Sequence, residues 1–260
     1  MGVVVADSWR AVHPDARVGV LALRNVRNPA RHDLLDARRD ALEASLRARF
    51  AGWSRAQLSE LETIRAYTAF YRAFGQSYHV LLQLDSVAVK RKPIASGTAL
   101  VQAMFMAELD TQLLTAGHDL DAIVPPLTIA AARGDETYTG ITGQPHTLKP
   151  NDMYMADAQA VVASVIHGPD RRTRITSDTH RVMFVTYAPK GIGEDALRHH
   201  LAEIDTKRAR ARAPSGRRAR AHLQALLHEC RNILQSLGRL TLLLKHNLLK
   251  RNDIYLRASS

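Results

Sequence analysis

Helix-like and strand-like patterns occupy different parts of this chain, and their order restricts the fold more than any other feature. Apolar residues recur with helical spacing first, whereas short apolar runs bounded by Gly, Pro, Asn and Asp come later. The predicted helices are 33–50, 59–74 and 98–114 (ending near Gly117) with a closing helix at 195–204, and the predicted strands are 16–26, 125–132, 137–142, 152–155, 161–167 and 181–187. This order predicts an α+β fold, with an N-terminal strand and helices packed on a mainly antiparallel sheet.

The positive charge is confined to the end of the chain. The sequence has 36 Lys+Arg and 25 Asp+Glu, a formal net charge of +11. Residues 206–260 contain thirteen of the basic residues and only two acids, Glu229 and Asp253, so this segment accounts for the whole excess and residues 1–205 are neutral. Such asymmetry predicts a polyanionic partner, most often a nucleic acid. We therefore divide the chain into a domain (1–205), a basic linker (206–220) and a basic tail (221–260).

The tail carries an apolar stripe. Its apolar residues recur at spacings of three and four, which predicts a long amphipathic basic helix, or a helical hairpin if Gly238 interrupts it. The stripe consists of Leu223, Leu227, Cys230, Leu234, Leu237, Leu244 and Leu248. Either it docks on the domain or it joins two copies of the chain into a homo-oligomer, and the sequence leaves both open.

Several classes of protein are disfavoured by what the sequence lacks. There is no Gly-rich phosphate loop, no His-Glu-x-x-His, no Gly-x-Ser-x-Gly and no cysteine pair, so no cofactor and no metal are expected. The adjacent His199 and His200 are expected to be solvated. No apolar run reaches the ~18 residues that a membrane span needs, and the N-terminus does not resemble a secretory signal, so a cytoplasmic protein without membrane contact is expected.

Three segments together resemble a known family. They are 66–78 (AYTAFYRAFGQSY), 115–123 (TAGHDLDAI), whose small residues are expected to form a turn, and 148–189, which contains DRRTRITSDT. In this order they are similar to freestanding relatives of the B3/B4 domain of the phenylalanyl-tRNA synthetase beta subunit. The resemblance covers about 16–204. It departs from the family pattern at His79, where a Pro-Ser pair is usual, at Phe105, usually an asparagine, and at Ala116, usually the pocket histidine.

The resemblance implies a pocket between the helices and the sheet that hydrolyses wrongly charged aminoacyl-tRNA, with tRNA as partner. A histidine there would position or deprotonate water, with His118 favoured over His167 because Ala116 and Gly117 leave room for a substrate. The implied substrate-binding residues are Tyr71, Phe74, Asp119, Asp121, Ser164, Asp170, Arg172 and Thr173. The charge of the linker, which lies outside the resemblance, predicts that Arg208, Arg210, Arg212, Arg217, Arg218 and Arg220 bind tRNA phosphates.

Two alternatives to the hydrolase are left open by the sequence. The protein could be a non-catalytic RNA-binding module, although Tyr255 is the only aromatic residue in the tail for base stacking. It could also be an amino-acid-binding pocket protein whose tail mediates assembly. At the level of residues, Asp119 and Asp121 could simply cap a turn, Asp170 could pair with Arg172 to hold a loop, and His118 could be a packing residue.

Overall fold

The computed structural model describes residues 2–209 and 254–257, which form helices packed on two β-sheets and a small hairpin. The strands are β1 (Val3–Val5), β2 (Arg17–Leu23), β3 (Thr115–Asp119), β4 (Leu127–Ala131), β5 (Thr137–Thr139), β6 (Pro145–Thr147), β7 (Met153–Ala156), β8 (Val161–Ser164), β9 (Gly168–Pro169), β10 (Val182–Ala188) and β11 (Ile254–Arg257). The helices are α1 (Asp7–Val12), α2 (Asp33–Arg49), α3 (Arg55–Ser59), α4 (Glu62–Ala73), α5 (His79–Leu84), α6 (Ala99–Thr111) and α7 (Glu194–Ala209), with a π-helical turn at Asp85–Val89 and a 3₁₀ turn at Leu120–Ala122. The predicted α+β class is confirmed.

The four-stranded sheet has the order β11-β2-β10-β3 and is antiparallel throughout. Its centre is β10, an apolar and β-branched strand with all seven residues buried, which explains why it pairs on both sides. Helices α6 and α7 pack against each other and on this sheet. The contact with β2 is close at Gly19, where an added Cβ would stand 2.9 Å from Leu197 Cγ.

The five-stranded sheet has the order β1-β4-β7-β8-β9. All of its pairings are antiparallel except the first, since β1 runs parallel to β4. The strands β5 and β6 form a separate antiparallel hairpin. The expected antiparallel arrangement is therefore correct for every strand pair in the described residues except β1–β4. The strands divide into two sheets and a hairpin, whereas a single sheet was expected.

Helix α4 ties the two sheets together through its tyrosines. The buried Tyr67 hydroxyl donates to the Tyr187 carbonyl oxygen on β10 at 2.6 Å, and the buried Tyr71 hydroxyl donates to the Val165 carbonyl oxygen just after β8 at 2.7 Å. Tyr78 stacks on Tyr67 with ring centroids 4.4 Å apart. These contacts hold the C-terminal end of α4 against the end of β8.

Four expectations from the sequence need correction. The predicted 98–114 helix ends at Thr111, because Gln112 takes a left-handed backbone conformation, and Gly117 lies inside β3 rather than at a helix end. The predicted 59–74 helix corresponds to α4, which begins at Glu62, because Ser59 ends the separate short helix α3. His200 is fully buried between the hydroxyls of Thr111 and Thr115, not solvated.

The fourth correction concerns the end of the chain. The tail 221–260 was expected to be helical, yet Ile254–Arg257 forms β11 and pairs with β2. Its aliphatic and aromatic residues suit a strand, and the otherwise unpaired edge of β2 supplies a partner. Helix α7 continues past Asp205 to Ala209. Residues 210–253, which include most of the linker and the leucine stripe of the tail, lie outside the described residues.

Within the described part of the chain, no helix combines the length and apolar character that a membrane span requires.

Candidate functional site

His118 lies in a buried hydrogen-bonded cluster, although its Nε2, like that of His167, has no hydrogen-bond partner among the described residues. Its side chain has no solvent exposure, and its Nδ1 lies 2.8 Å from the Thr173 hydroxyl, which itself donates to the Asp170 carboxylate. Because the threonine proton is directed to Asp170, its oxygen is left to accept Nδ1–H, which assigns the tautomer from the network. Burial lowers the pKa of His118 to about 4, with a smaller contribution from Arg172, so the ring is neutral at pH 7.

The space expected beside His118 is filled. A Cβ added to Gly117 would stand 2.6 Å from Ile175 Cδ1, so the prediction of room for a substrate next to these small residues is wrong. The predicted turn at this position is also wrong, since Thr115–Asp119 is the strand β3. The backbone of Asp119 donates to the Thr173 carbonyl oxygen at 2.7 Å. His118 and its neighbours therefore fasten β3 to the loop before β10.

Three more of the predicted substrate-binding residues are engaged in structural contacts. Arg172 donates to Asp157 at 2.8 Å and lies 3.7 Å from Asp170. The Asp119 carboxylate accepts the Asp121 backbone N–H at 2.9 Å, so it caps the 3₁₀ turn. Asp119 also accepts the Thr179 hydroxyl at 2.7 Å, and Asp121 pairs with Arg181 at 2.7 Å. These geometries agree with the loop-holding alternative for Arg172 and with the turn-capping alternative for Asp119, whereas the Asp121 carboxylate pairs with Arg181 and does not cap the turn.

A second group of predicted residues meets at the end of β8. The Ser164 hydroxyl oxygen accepts the backbone N–H of His167 at 3.0 Å and so turns the chain after the strand. Tyr71 reaches the same turn through its bond to Val165. The carbonyl oxygen of Phe74, at the end of α4, accepts the Lys149 ammonium at 2.6 Å. The structure therefore brings together Ser164, His167, Tyr71 and Phe74, and it places His118, Asp119, Asp121, Asp170, Arg172 and Thr173 in the cluster already described.

His167 is the half-buried residue of this group. Its ring stacks on His146 of β6, with centroids 4.7 Å apart and planes 16° apart. Burial lowers the pKa of His167, and the positive character of His146 and Lys149 lowers it further. Its Nε2 is buried and has no hydrogen-bond partner among the described residues. A neutral imidazole with an uncommitted ring nitrogen is suited to accept a proton or to orient water.

Asp152 is a residue that the sequence did not single out. It is fully buried behind Ser164, and burial raises its pKa to about 7, although Ser164 and nearby backbone amides act in the opposite direction. Neither carboxylate oxygen has a partner at hydrogen-bond geometry in the described residues. Buried carboxyl groups that titrate near neutrality are concentrated at functional sites. Asp152 follows a turn at Pro150 and Asn151 and begins the predicted strand 152–155, so its sequence context indicates only the start of a strand.

Tyr138, His146 and Lys149 also belong to this site and were not predicted. Tyr138 donates to the Gly168 carbonyl oxygen at 2.6 Å, and burial raises its pKa to about 12. These residues come from the β5–β6 hairpin and the segment after it, which the sequence indicates only as a strand and a loop. We use the name His167 site for Tyr71, Phe74, Tyr138, His146, Lys149, Asp152, Ser164 and His167. Among the described residues, no group of three or more His, Cys, Asp or Glu side chains is arranged to hold a metal ion.

The comparisons with known proteins identify the family. Residues 88–230 match the model of the B3/4 domain, which is more than half of the chain. The chain belongs to the B3/4 domain family. This confirms the resemblance based on the three sequence segments, and the matched range contains every residue of the His167 site except Tyr71 and Phe74. A search of curated proteins gives no match.

Among solved structures, the B3/4 chain is similar to an N-terminal fragment of the phenylalanyl-tRNA synthetase beta-subunit from Pyrococcus horikoshii. The identity is 12% and the TM-score is 0.39, over 80% of this chain and 48% of that one. The chain therefore spans about half the length of that fragment.

Proposed function

We propose that this B3/4 protein binds tRNA and hydrolyses the ester of wrongly charged aminoacyl-tRNA at the His167 site. The observation that carries the proposal is the neutral, half-buried imidazole of His167, whose Nε2 has no partner among the described residues and which lies in the turn formed by Ser164. His118 is not part of the proposed reaction centre, because it is fully buried and hydrogen-bonded to Thr173.

The proposed chemistry needs no cofactor. An aminoacyl ester is already activated, so a positioned water and a stabilised oxyanion suffice. His167 removes a proton from the water as its oxygen attacks the carbonyl carbon. The same proton then passes to the ribose oxygen as the ester C–O bond breaks, giving a free amino acid and an uncharged tRNA. To Lys149, whose positive charge acts on His167, we assign the stabilisation of negative charge on the carbonyl oxygen.

Three facts support tRNA as the partner. The chain belongs to the B3/4 domain family, and its sequence resemblance to that domain of the phenylalanyl-tRNA synthetase beta subunit implies tRNA as partner. The basic excess of the chain lies entirely in residues 206–260. Arginine-rich segments bind RNA mainly through phosphate contacts, which give affinity with little dependence on sequence.

The test is single-turnover deacylation with a panel of tRNAs, each charged with a different amino acid. We expect His167→Ala to lower the rate about 10²–10⁴-fold on the tRNA that the wild type deacylates, the usual effect of losing a general base. His199→Ala is the matched control, because His199 is exposed on α7, and it should keep the wild-type rate. The wild-type rate should fall as the pH drops through the His167 pKa, which lies below the ordinary value.

Two outcomes would contradict the proposal. If the wild type binds tRNA but deacylates none of the panel, the protein is a non-catalytic RNA-binding module. If His167→Ala and His199→Ala have equal rates while both remain folded, the reaction occurs elsewhere on the protein.

A further inference from the structure

Five exposed arginines lie on two neighbouring loops of a domain whose net charge is zero. They lie in the loop after β2 and in the loop before β10, and none of them makes an ion pair within the described residues. We call this set the arginine surface; it consists of Arg24, Arg27, Arg31, Arg171 and Arg174.

The two loops are held side by side. Since β2 pairs antiparallel with β10, the end of β2 at Leu23 lies opposite the start of β10 at Val182. Beyond the strands, the Val26 backbone donates to the His180 carbonyl oxygen at 2.9 Å. The buried Asn28 donates from Nδ2 to the Thr176 carbonyl oxygen at 2.7 Å, and its Oδ1 accepts the Leu100 N–H at 2.8 Å. The positions of the loop backbones are therefore fixed by the fold.

The other arginines nearby have structural partners, which sets the arginine surface apart. Arg172 is paired with Asp157, and Arg181 is paired with Asp121. Of the two acids in the loop before β10, Asp170 is buried and only Asp178 is exposed. Clustered like charges repel one another, so a surface serving only stability would gain from pairing them, as happens at Arg172. An unpaired arginine cluster is suited to planar, bidentate contact with phosphate.

The arginine surface begins at the edge of the His167 site. The Arg171 guanidinium lies over the β5–β6 turn, where a Cβ added to Gly143 would stand 3.0 Å from its Nη1. The Arg171 backbone also donates to the Thr139 carbonyl oxygen on β5 at 3.0 Å. His146, which stacks on His167, belongs to the same hairpin. Arg174 follows along the loop and donates to the Arg171 carbonyl oxygen at 2.8 Å.

We infer that the arginine surface binds the phosphates of the tRNA strand that leads away from the aminoacyl end held at the His167 site. This inference rests on the proposed function and adds to it the face of the domain over which the RNA runs. The bound tRNA passes from the β5–β6 hairpin across Arg171 and Arg174 to the loop after β2.

The experiment compares two triple variants of the full chain with equal loss of charge. The first is Arg24→Gln, Arg27→Gln and Arg174→Gln; the control is Arg55→Gln, Arg65→Gln and Arg72→Gln, three exposed arginines of α3 and α4 without ion pairs in the described part of the chain. Three lost phosphate contacts should lower the log–log salt slope of tRNA binding by about 2–3. We expect the first variant to show this loss and a KM for charged tRNA at least tenfold higher with unchanged kcat. The control should keep the wild-type slope and KM.

A short substrate separates binding at the surface from damage to the reaction site. An aminoacyl-adenosine carries the ester but no phosphate chain, so the first variant should hydrolyse it at the wild-type rate. Slower hydrolysis of aminoacyl-adenosine by the first variant would overturn the inference. An equal loss of salt slope in both triple variants would also overturn it, as would the finding that the wild-type protein binds no tRNA. If the wild type binds tRNA without hydrolysing it and only the first variant loses affinity, the hydrolase proposal fails while the arginine surface stands as an RNA-binding face.

Discussion

At the scale of single residues, the interior of this domain contains titratable groups without an opposite charge beside them. Glu108 is fully buried near the end of α6, and its carboxylate accepts the Thr115 N–H at 2.7 Å. Burial raises its pKa to about 8. His200 lies close by, and burial lowers its pKa to about 3. Both groups are therefore neutral inside the protein over much of the range in which they are charged in water.

These groups predict how stability depends on pH. The folded-state pKa of Glu108 lies above its ordinary 4.5, so its contribution to stability is present at low pH and is lost as the pH rises to about 8. Asp152 acts in the same direction up to about pH 7. His200 adds nothing above pH 7, because it is neutral in both states there. We expect the free energy of unfolding to fall from pH 6.5 to 8, by at most about 1.4 kcal/mol per pH unit for each group.

The change that tests this is Glu108→Gln, which keeps an oxygen to accept the Thr115 N–H. Urea unfolding at pH 6.5, 7, 7.5 and 8 should give a shallower decline for the variant than for the wild type. Glu60→Gln, at an exposed position, should keep the wild-type slope. Equal slopes for Glu108→Gln and the wild type would show that Glu108 is ionised in the folded protein.

At the scale of elements, local sequence pattern predicted the long helices and most of the strands, and it missed the short elements α1, α3, α5, β1, β3, β6 and β9. The helices α2, α6 and α7 and the strands β2 and β10 lie where the periodicity indicates them, because each buries a face long enough to leave a pattern. The three valines of β1 form a strand only because β4 offers a parallel partner far along the chain. The end of α6 depends on the left-handed Gln112, whose residue type does not signal it.

The residues of the candidate site likewise form two groups, those that the sequence indicated and those that only the structure reveals. Ser164, His167, Tyr71 and Phe74 belong to segments with a family pattern, and the fold brings them together. His146 lies outside these segments, and Asp152 lies in the third of them without being singled out, because the importance of both comes from burial and from stacking that only the assembled sheet and hairpin create. The preference for His118 over His167 rested on the small size of Gly117, and the structure fills that space with Ile175.

The packing of α7 on β2 gives a prediction at this scale. At Gly19 an added Cβ would stand 2.9 Å from both Leu197 Cγ and Leu201 Cδ1, so the helix and the strand cannot both keep their places. We expect Gly19→Ala to lower the free energy of unfolding by about 1–3 kcal/mol, the usual cost of overpacking. Chemical denaturation of the variant and the wild type measures this difference in the free energy of unfolding. Gly193→Ala is the control, because no atom lies within 4 Å of its added Cβ. A Gly19→Ala variant as stable as the wild type would mean that α7 does not pack on β2 in the way described.

At the scale of the whole molecule, we propose RNA contacts for two groups of arginines, those of the arginine surface and those of the basic linker. The arginine surface lies on the described domain, whereas the arginines of the basic linker lie almost wholly outside the described residues. Lys207 lies within the linker range but is buried and bonded to Asp110 and Glu203, so its charge is already paired. If the domain selects the aminoacyl end and the linker supplies general affinity, the two regions should contribute separately to binding.

The last prediction tests that separation in the full chain, with β11 and α7 left intact. The variant replaces five linker arginines with glutamine: Arg210, Arg212, Arg217, Arg218 and Arg220. If each contacts one phosphate, the log–log salt slope of tRNA binding should fall by about 4, because every contact contributes 0.7–0.9. The kcat for charged tRNA at saturation and the rate on aminoacyl-adenosine should stay at the wild-type values, since the His167 site is untouched. Combining the five linker changes with Arg24→Gln, Arg27→Gln and Arg174→Gln should lower the slope by the sum of the two effects, as expected for regions that bind different phosphates. A linker variant with the wild-type salt slope would remove the linker from RNA binding and leave the arginine surface as the part of the chain that contacts phosphate.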